Sequence, residues 1–445
     1  MTAPAPLRIA VIGAGSAQFL PELADFCALD GIGRYEVALV DTHPTRATVA
    51  EQFGRAVAAD AGVPAEVTAY TDRRAAIAGA HLVVVSIGVG MQQSIRPDFE
   101  IPARYGLRQT VADTLGIGAI VRILRTAPAL ADIARDIAEC SPAAILANVT
   151  NPMTMCCMAL DRLVPEVRTV GLCHSTWQTA ATVAGHLGVP VDELDFDGAG
   201  VNHQVFLTRL EHHGTDLYPR LREMARTDEA FGATVRADLL RRFGYFVTES
   251  SKHNAEYVPW YLPWDDQVEH FGLPVNPYWE RRANNAEWFA QAMEIAAGRA
   301  HYPMHLVPSG EYAPQIARSL VDGVPRRMWA NVPNRVPGGG GARLVDELPE
   351  WAVVEVPARC DANGVHPEVA SPLPPQCAAI NRRSLDVCDL AVRAVVEGRR
   401  DHVHHAALLD PNTSATLSPV AIEAMVDELL DAHQAAGRLP EGLCR

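Results

Sequence analysis

Leu7-Arg8-Ile9-Ala10-Val11-Ile12 is a short apolar run that ends in Gly13-Ala14-Gly15-Ser16, and an amphipathic stretch with Phe19, Leu20, Leu23, Phe26 and Cys27 follows at once. A buried strand, a glycine turn and a helix, in that order, limit the possible folds more than any other feature of the chain. The glycines permit a tight turn and let backbone N–H groups reach a pyrophosphate at the helix N-terminus. Gln18 stands where a third glycine would complete the usual fingerprint, so the flanking strand and helix carry the reading.

The next strand, Tyr35 to Val40, ends in Asp41, placed to accept the hydroxyls of an adenine ribose and to repel a 2′-phosphate. That favours NAD over NADP, and Arg46 nearby leaves the second cofactor open. His81 to Ile87 reads as a strand buried on both faces, hence parallel, running into Gly88-Val89-Gly90 where a dinucleotide can pass close to the backbone. Met91 to Gln109 reads as polar and irregular, a cover for the cofactor. Ala143 to Ala147 is another buried strand and ends in Asn148-Val149-Thr150-Asn151-Pro152, whose asparagines suit either a ribose or polyol, or plain turn chemistry. After Leu210, long helices and aromatic clusters replace the strand–helix alternation. The expected fold is α/β: a Rossmann-like doubly wound sheet over 1–198, then a mixed α/β domain over 199–445 carrying the substrate and metal site.

Composition narrows the function classes. A net charge of -15 over 445 residues argues against nucleic acid and anionic membrane surfaces. No apolar stretch is long enough to span a bilayer, and no signal segment opens the chain. Nine cysteines, an odd number without paired spacing, fit a reduced cytoplasmic chain.

Two stretches carry candidate chemistry. Gly171-Leu172-Cys173-His174-Ser175 follows one short strand, and Val201-Asn202-His203 follows another. A thiol and an imidazole at strand ends lie where α/β folds bind ligands, and together they suit a divalent transition ion with open positions. The same residues also fit a buried free cysteine and an unrelated histidine. His402, His404 and His405 look like a metal cluster by composition but lack an acidic partner in their own stretch, so a solvated face is expected there.

With these features the sequence resembles glycoside hydrolase family 4, in its bacterial α-galactosidase, melibiase-like branch. The likeness runs nearly end to end, through Ala112-Asp113-Thr114-Leu115-Gly116, Asn151-Pro152-Met153, Gly171 to Ser175, Val201-Asn202-His203, Gly244 to Ser251, Ala255-Glu256-Tyr257, Pro308-Ser309-Gly310-Glu311-Tyr312 and Asp361-Ala362-Asn363-Gly364. The resemblance implies an NAD- and Mn²⁺-dependent glycosidase that oxidises the sugar at C3, eliminates across C1–C2, adds water and reduces C3 again. It implies metal ligation by Cys173 and His203, a base at Tyr245 or Glu249, and sugar contacts from Asp113, Asn151 and Asn202. His174, following the metal-binding cysteine, goes with unphosphorylated sugars and is a candidate for contacting the sugar or protonating the leaving group. Cofactor contacts fall to Gly13, Gly15, Ser16, Asp41, Arg46 and Gly88. Thr176 and Gln204 stand where the α-galactosidase branch has Val and Met, which leaves α-glucosides and α-galacturonides open as substrates. A homo-oligomer, dimer or tetramer, is expected from the same likeness. The readings that compete are a lactate/malate-type hydroxyacid dehydrogenase and a non-catalytic NAD-binding regulator.

Overall fold

The computed structural model describes residues 6–16, 19–303 and 309–443. Gln18, Pro308, the Thr2 to Ala5 part of the N-terminal tail and the side chains of Tyr278 and Trp279 lie outside the described residues. The first six strands are β1 (Leu7–Ile12), β2 (Tyr35–Val40), β3 (Ala65–Tyr70), β4 (Leu82–Val85), β5 (Ile145–Asn148) and β6 (Arg168–Gly171). They are parallel in the order β3-β2-β1-β4-β5-β6, the doubly wound arrangement expected from the strand–helix alternation. Both faces are buried, because successive residues point to opposite sides. Leu7, Ile9 and Val11 join one apolar cluster, and Ala10 and Ile12 join the other.

The second half grows from the edge of that sheet. It adds β7 (Leu194–Val201), β8 (Gln204–His212), β9 (Thr215–Asp216), β10 (Phe246–Val247), β11 (Arg326–Pro333), β12 (Val353–Asp361) and β13 (Gly364–Pro367). β11 pairs antiparallel with β6 at Asn331 and Gly171, and β12, β7, β8 and β10 extend the sheet in that order. The strand that leads into Cys173 is therefore the seam between the two halves. β7 and β8 are joined by a two-residue turn, Asn202-His203, in which His203 adopts a left-handed backbone with φ 64°. A non-glycine residue at that φ is strained, and such strain concentrates at functional sites.

Two local expectations are corrected. Residues Met91–Arg104 form a helix rather than an irregular cover, despite Pro97 and Pro102 within it. The polar residues that suggested a loop are in part buried: Asp98 is fully buried and accepts from Arg125 (2.5 Å) while pairing with His433 Nε2 (2.8 Å), both of them also buried. The histidines near the C-terminus lie on a helix, Asp401–Leu409, and do have acidic partners: Asp401 on the same helix lies near His402 and His405, and others come from outside the stretch. His402 reaches Glu397 at 3.3 Å and His404 reaches Asp427 at 3.1 Å.

The Asp98 cluster yields a stability prediction. Burial pushes the Asp98 carboxyl up, but the Arg125 charge and the His433 hydrogen bond outweigh it and hold it below its ordinary value. Its contribution is thus present above the ordinary carboxylate pKa and lost as pH falls through the lowered one. Asp98→Asn leaves a buried guanidinium without its counter-charge and is expected to cost about 3–5 kcal/mol in urea unfolding. A loss under about 1 kcal/mol would mean that the cluster behaves like a surface pair.

Among the described residues no helix is long and apolar enough to cross a membrane, and the eight described cysteines are free thiols.

Candidate active site

The glycine turn after β1 is built against the neighbouring strands. Gly13 and Ala14 donate to the Val40 carbonyl at 2.8 and 3.1 Å, and Gly13 has φ 89° with no room for a Cβ beside the Ser86 carbonyl. Ser16 N closes the turn on Gly13 O at 3.1 Å. Asp41, just beyond β2, accepts from Gly15 N at 2.9 Å and from His43 N at 2.8 Å. A Cβ on Gly15 would press on the Arg46 side chain and come within 2.8 Å of Asp41 Oδ2. Gly13, Gly15, Ser16, Asp41 and Arg46 therefore form one cradle at the strand ends, and Gly88 lies in the loop after the adjacent β4. The Arg46 guanidinium also lies 5.5 Å from the Phe289 ring centroid.

A second group assembles where β6, the β7–β8 turn and the segment after β10 converge. Cys173 is half-buried beyond β6, and His174 precedes the helix Ser175–Leu187. Cys173 and His203 share two acidic neighbours, Glu249 and Glu355, as their mutual electrostatic influence shows. His203 Nδ1 is 3.0 Å from Thr114 Oγ1 and 3.4 Å from Tyr257 OH, so Nε2 is the nitrogen left for a metal. Thr114 Oγ1 in turn donates to Asp113 Oδ1 at 2.9 Å. His253 stands between two carboxylates, 3.0 Å from Glu249 and 3.6 Å from Asp113, with its ring edge-on to His203 at 4.8 Å between centroids. Glu249 also has a left-handed backbone, φ 66°.

The charges of the group are uneven. Burial first, and the Glu355 charge second, push the Cys173 thiol up to about 12. Burial would raise Glu249 too, yet the His203 and His253 imidazoles outweigh it and hold that carboxyl well below its ordinary range. His253 is lowered by burial, but its bonds to Asp113 and Glu249 prevail and raise it to about 8. His174 bonds Glu311 through Nδ1, and that bond raises its imidazole to about 9 against the effect of burial. Burial and the Glu355 and Glu249 charges disfavour the Cys173 thiolate while the His174 imidazole favours it, and a divalent ion at Sγ would stabilise the thiolate further.

Two buried carboxylates fix the backbone around these groups. Glu256 accepts the amides of Thr110, Val111 and Ala112 at 2.6–3.1 Å, which sets the turn before Asp113. Glu355, in the middle of β12, accepts from Thr176 (2.5 Å), Asn202 (3.0 Å) and Asn331 (3.3 Å). Asn202 thus turns its amide to Glu355, while its Oδ1 is buried without a protein partner. Gln204 accepts from Asn381 and Ser384 on the helix Pro375–Val396. The two departures from the α-galactosidase pattern, Thr176 and Gln204, are therefore both engaged in buried networks.

Of the residues singled out in the sequence, Asp113, Cys173, His174, Asn202, His203 and Glu249 come together here. Asn151 lies beyond β5, where its Oδ1 accepts from Met153 N at 3.2 Å. Tyr245 packs edge-on against Tyr218 at 5.7 Å, among core side chains. The sequence reading passed over His253, Glu311, Glu355, Glu256 and Tyr257 as site residues. A charged residue inside the apolar run Val353 to Val356, and a histidine one helical turn after Glu249, were the available signals.

Comparison with known proteins decides the family. Residues 8–189 match the family described as Family 4 glycosyl hydrolase, and residues 198–413 match the Family 4 glycosyl hydrolase C-terminal domain. The chain belongs to glycosyl hydrolase family 4. Among its relatives is an alpha-galactosidase of Bacillus subtilis (strain 168), 35% identical over 432 residues, covering 96% of this chain and 98% of the relative. An alpha-glucosidase of Erwinia rhapontici is 29% identical and covers 94% of this chain and 97% of its own. A 6-phospho-alpha-glucosidase from gut microorganisms, solved in complex with NAD and Mn²⁺, superposes with a TM-score of 0.82 at 18% identity, over 98% of this chain and all of that one. As a family 4 member the chain is a glycoside hydrolase, which sets aside the hydroxyacid dehydrogenase and the non-catalytic regulator.

Proposed function

We propose that this family 4 enzyme hydrolyses unphosphorylated α-galactosides by transient oxidation at C3 and elimination across C1–C2. The observation that carries the reading is the convergence of Cys173, His203 and Glu249 at the seam between the dinucleotide sheet and its extension. The chemistry the two groups would supply when bound is reversible hydride acceptance at C3 by NAD⁺ and Lewis-acid polarisation of the sugar oxygens by a divalent ion, Mn²⁺. The residues fit both groups. Gly13, Gly15 and Ser16 leave backbone room for a pyrophosphate, with Asp41 and Arg46 at the ribose end and Gly88 alongside. Cys173 and His203 Nε2 would hold the metal, and the buried Asn202 Oδ1, without a hydrogen-bond partner in the protein and next to His203 in the chain, supports a polar ligand there.

Glu249 is the base that takes the C2 proton. It is ionised, it lies in the cluster, and His253 orients it. Tyr245, the other candidate, is directed toward Tyr218. His174, fixed through Nδ1 by Glu311, presents Nε2 to the leaving oxygen and carries a proton at neutral pH. Asp113, Asn151 and Asn202 take sugar hydroxyls. The carboxylates Asp113, Glu249 and Glu311 suit a neutral sugar and oppose a phosphate or a uronate, which favours galactosides over 6-phospho-sugars and galacturonides. Free thiols suit a reducing cytoplasm. We place the division between the two halves at 198/199 and expect a dimer or tetramer in solution.

The test is aglycone release from p-nitrophenyl α-galactoside with NAD⁺, Mn²⁺ and a thiol reductant, run beside the glucoside, galacturonide and 6-phospho analogues. Release with the galactoside fastest, and without stoichiometric NADH, is expected. A faster glucoside or galacturonide reassigns the sugar, and NADH formed in proportion to product would refute the mechanism.

Asp41→Ala is expected to weaken NAD⁺ binding about ten-fold or more and to narrow its preference over NADP⁺, since the ribose acceptor and the Gly15 contact are lost together. Fluorescence titration of both cofactors measures this. Unchanged affinities would make Asp41 a turn residue only.

A further inference from the structure

Away from the catalytic cluster, the helix Val235–Phe243 and the segment that follows Tyr257 enclose a cavity of about 540 Å³. Its walls combine Trp260, Trp264 and Phe243 with Asp238, Arg242 and Gln267. Neither tryptophan is buried by the fold: Trp260 is 40% exposed and Trp264 56%. Trp260 stacks on Phe243 at 5.3 Å with 22° between the rings, so one indole face is backed while the side chain as a whole stays exposed. The carboxylate is held on several sides. Asp238, largely buried, accepts from Tyr261 OH at 2.9 Å, from Arg242 Nε at 2.7 Å and from Arg241 Nη2 at 3.1 Å, and the Arg242 side chain is 64% exposed.

The cavity is separate from the catalytic group. None of the residues that line it, Asp238, Arg242, Phe243, Trp260, Trp264 and Gln267 among them, belongs to the group around Cys173, His203 and Glu249.

We infer that this cavity is a second, non-catalytic saccharide site, taking a neutral pyranoside whose ring stacks on Trp260 and whose hydroxyls bond Arg242 and Asp238. A flat aromatic platform matches the C–H face of a pyranose, and a fixed carboxylate–guanidinium pair offers both acceptors and donors to its hydroxyls. The volume falls within the range of small-ligand pockets, about 300–1,000 Å³. A second copy of the chain is the other occupant such a surface could take. The centre of a protein interface is depleted of charged residues, and Asp238 and Arg242 sit within this one, which favours the sugar. The inference rests on family membership and on the cavity, and is independent of which glycoside the catalytic site cleaves.

The experiment is a titration of melibiose, followed by saturation-transfer NMR, into the Cys173→Ser protein, in which turnover is silenced. Binding is expected to persist there and to weaken about ten-fold in Cys173→Ser/Trp260→Ala, with Trp260→Phe keeping most of it. Circular dichroism and thermal unfolding check that each variant is folded, and Arg242→Ala provides a second, surface substitution expected to act in the same direction. In the otherwise native enzyme, Trp260→Ala should leave hydrolysis of a small aryl α-galactoside unchanged. Melibiose binding that is absent in Cys173→Ser, or unaffected by Trp260→Ala and Arg242→Ala, overturns the inference. So does a change of molecular mass in light scattering on Trp260→Ala with sugar binding intact, which would make the cavity a contact between copies. Failure of the galactosidase reading would show instead in the aryl glycoside assay, with the titration unaffected.

Discussion

Replacing Cys173 by serine, or His203 by alanine, is expected to lower divalent-metal-dependent hydrolysis by about a thousand-fold, the rate equivalent of the several kcal/mol that a Lewis acid contributes. The fold should survive. Cys173 sits beyond the end of β6, and serine changes one atom at a half-buried position. His203 occupies a turn whose geometry is set by the Val201–Gln204 pairing and by the Asn202–Glu355 bond rather than by its ring. The two variants differ in what they leave behind. Cys173→Ser removes a thiol that burial first, and the Glu355 charge second, hold above its ordinary value, and replaces a soft sulfur donor by a hydroxyl, so its Mn²⁺ affinity should fall at every pH. His203→Ala also removes the ring against which His253 packs and frees Thr114 from its bond, so it should weaken substrate binding as well. Isothermal titration with Mn²⁺, beside steady-state rates with and without chelator, separates these effects. Full activity of Cys173→Ser in chelator-treated buffer would remove the metal from the mechanism.

The parallel half of the fold was legible because its signals are local. An apolar run of four to seven residues ending in glycine, asparagine or aspartate marks a doubly wound strand end, and β1, β2, β4 and β5 all read that way. The pairing of β6 with β11, which makes both halves one sheet, joins residues 160 positions apart and leaves no local trace. The helix Met91–Arg104 was misread for a related reason: its buried polar side chains find their partners on helices far along the chain. At the site, Cys173, His203 and Asp113 were visible as residue types at strand ends and in motifs. His253 was not, because its meaning comes from Asp113, 140 positions earlier, as much as from nearby Glu249. Glu355 showed only as a charge in an apolar strand, and three partners from three other segments make it a fixed point beneath the Asn202-His203 turn.

Glu249→Gln is expected to reduce turnover by about 10²–10⁴, the usual contribution of a positioned general base. The loss has a signature beyond rate. Direct displacement by two carboxylates never breaks the C2–H bond, whereas elimination must, so native turnover in D₂O should leave deuterium at C2 of the released sugar while hydrogen at C3 is retained. Glu249→Gln keeps the size of the side chain and its room beside His253 but cannot accept the proton. It should therefore still reduce enzyme-bound NAD⁺ with substrate, yet show no exchange at C2. Tyr245→Phe should behave like the native enzyme on both counts, because the Tyr245 ring packs edge-on against Tyr218 and Glu249 is the group paired with His253. The opposite pattern, with exchange lost in Tyr245→Phe and kept in Glu249→Gln, would move the base to the phenol. His253→Asn adds an intermediate expectation. Without the imidazole that lowers it, the Glu249 carboxyl rises toward its ordinary range, and the acidic limb of the exchange–pH profile should shift to higher pH. Hydrolysis at full rate in the native enzyme with no deuterium at C2 would exclude elimination altogether, and with it the role assigned to Glu249.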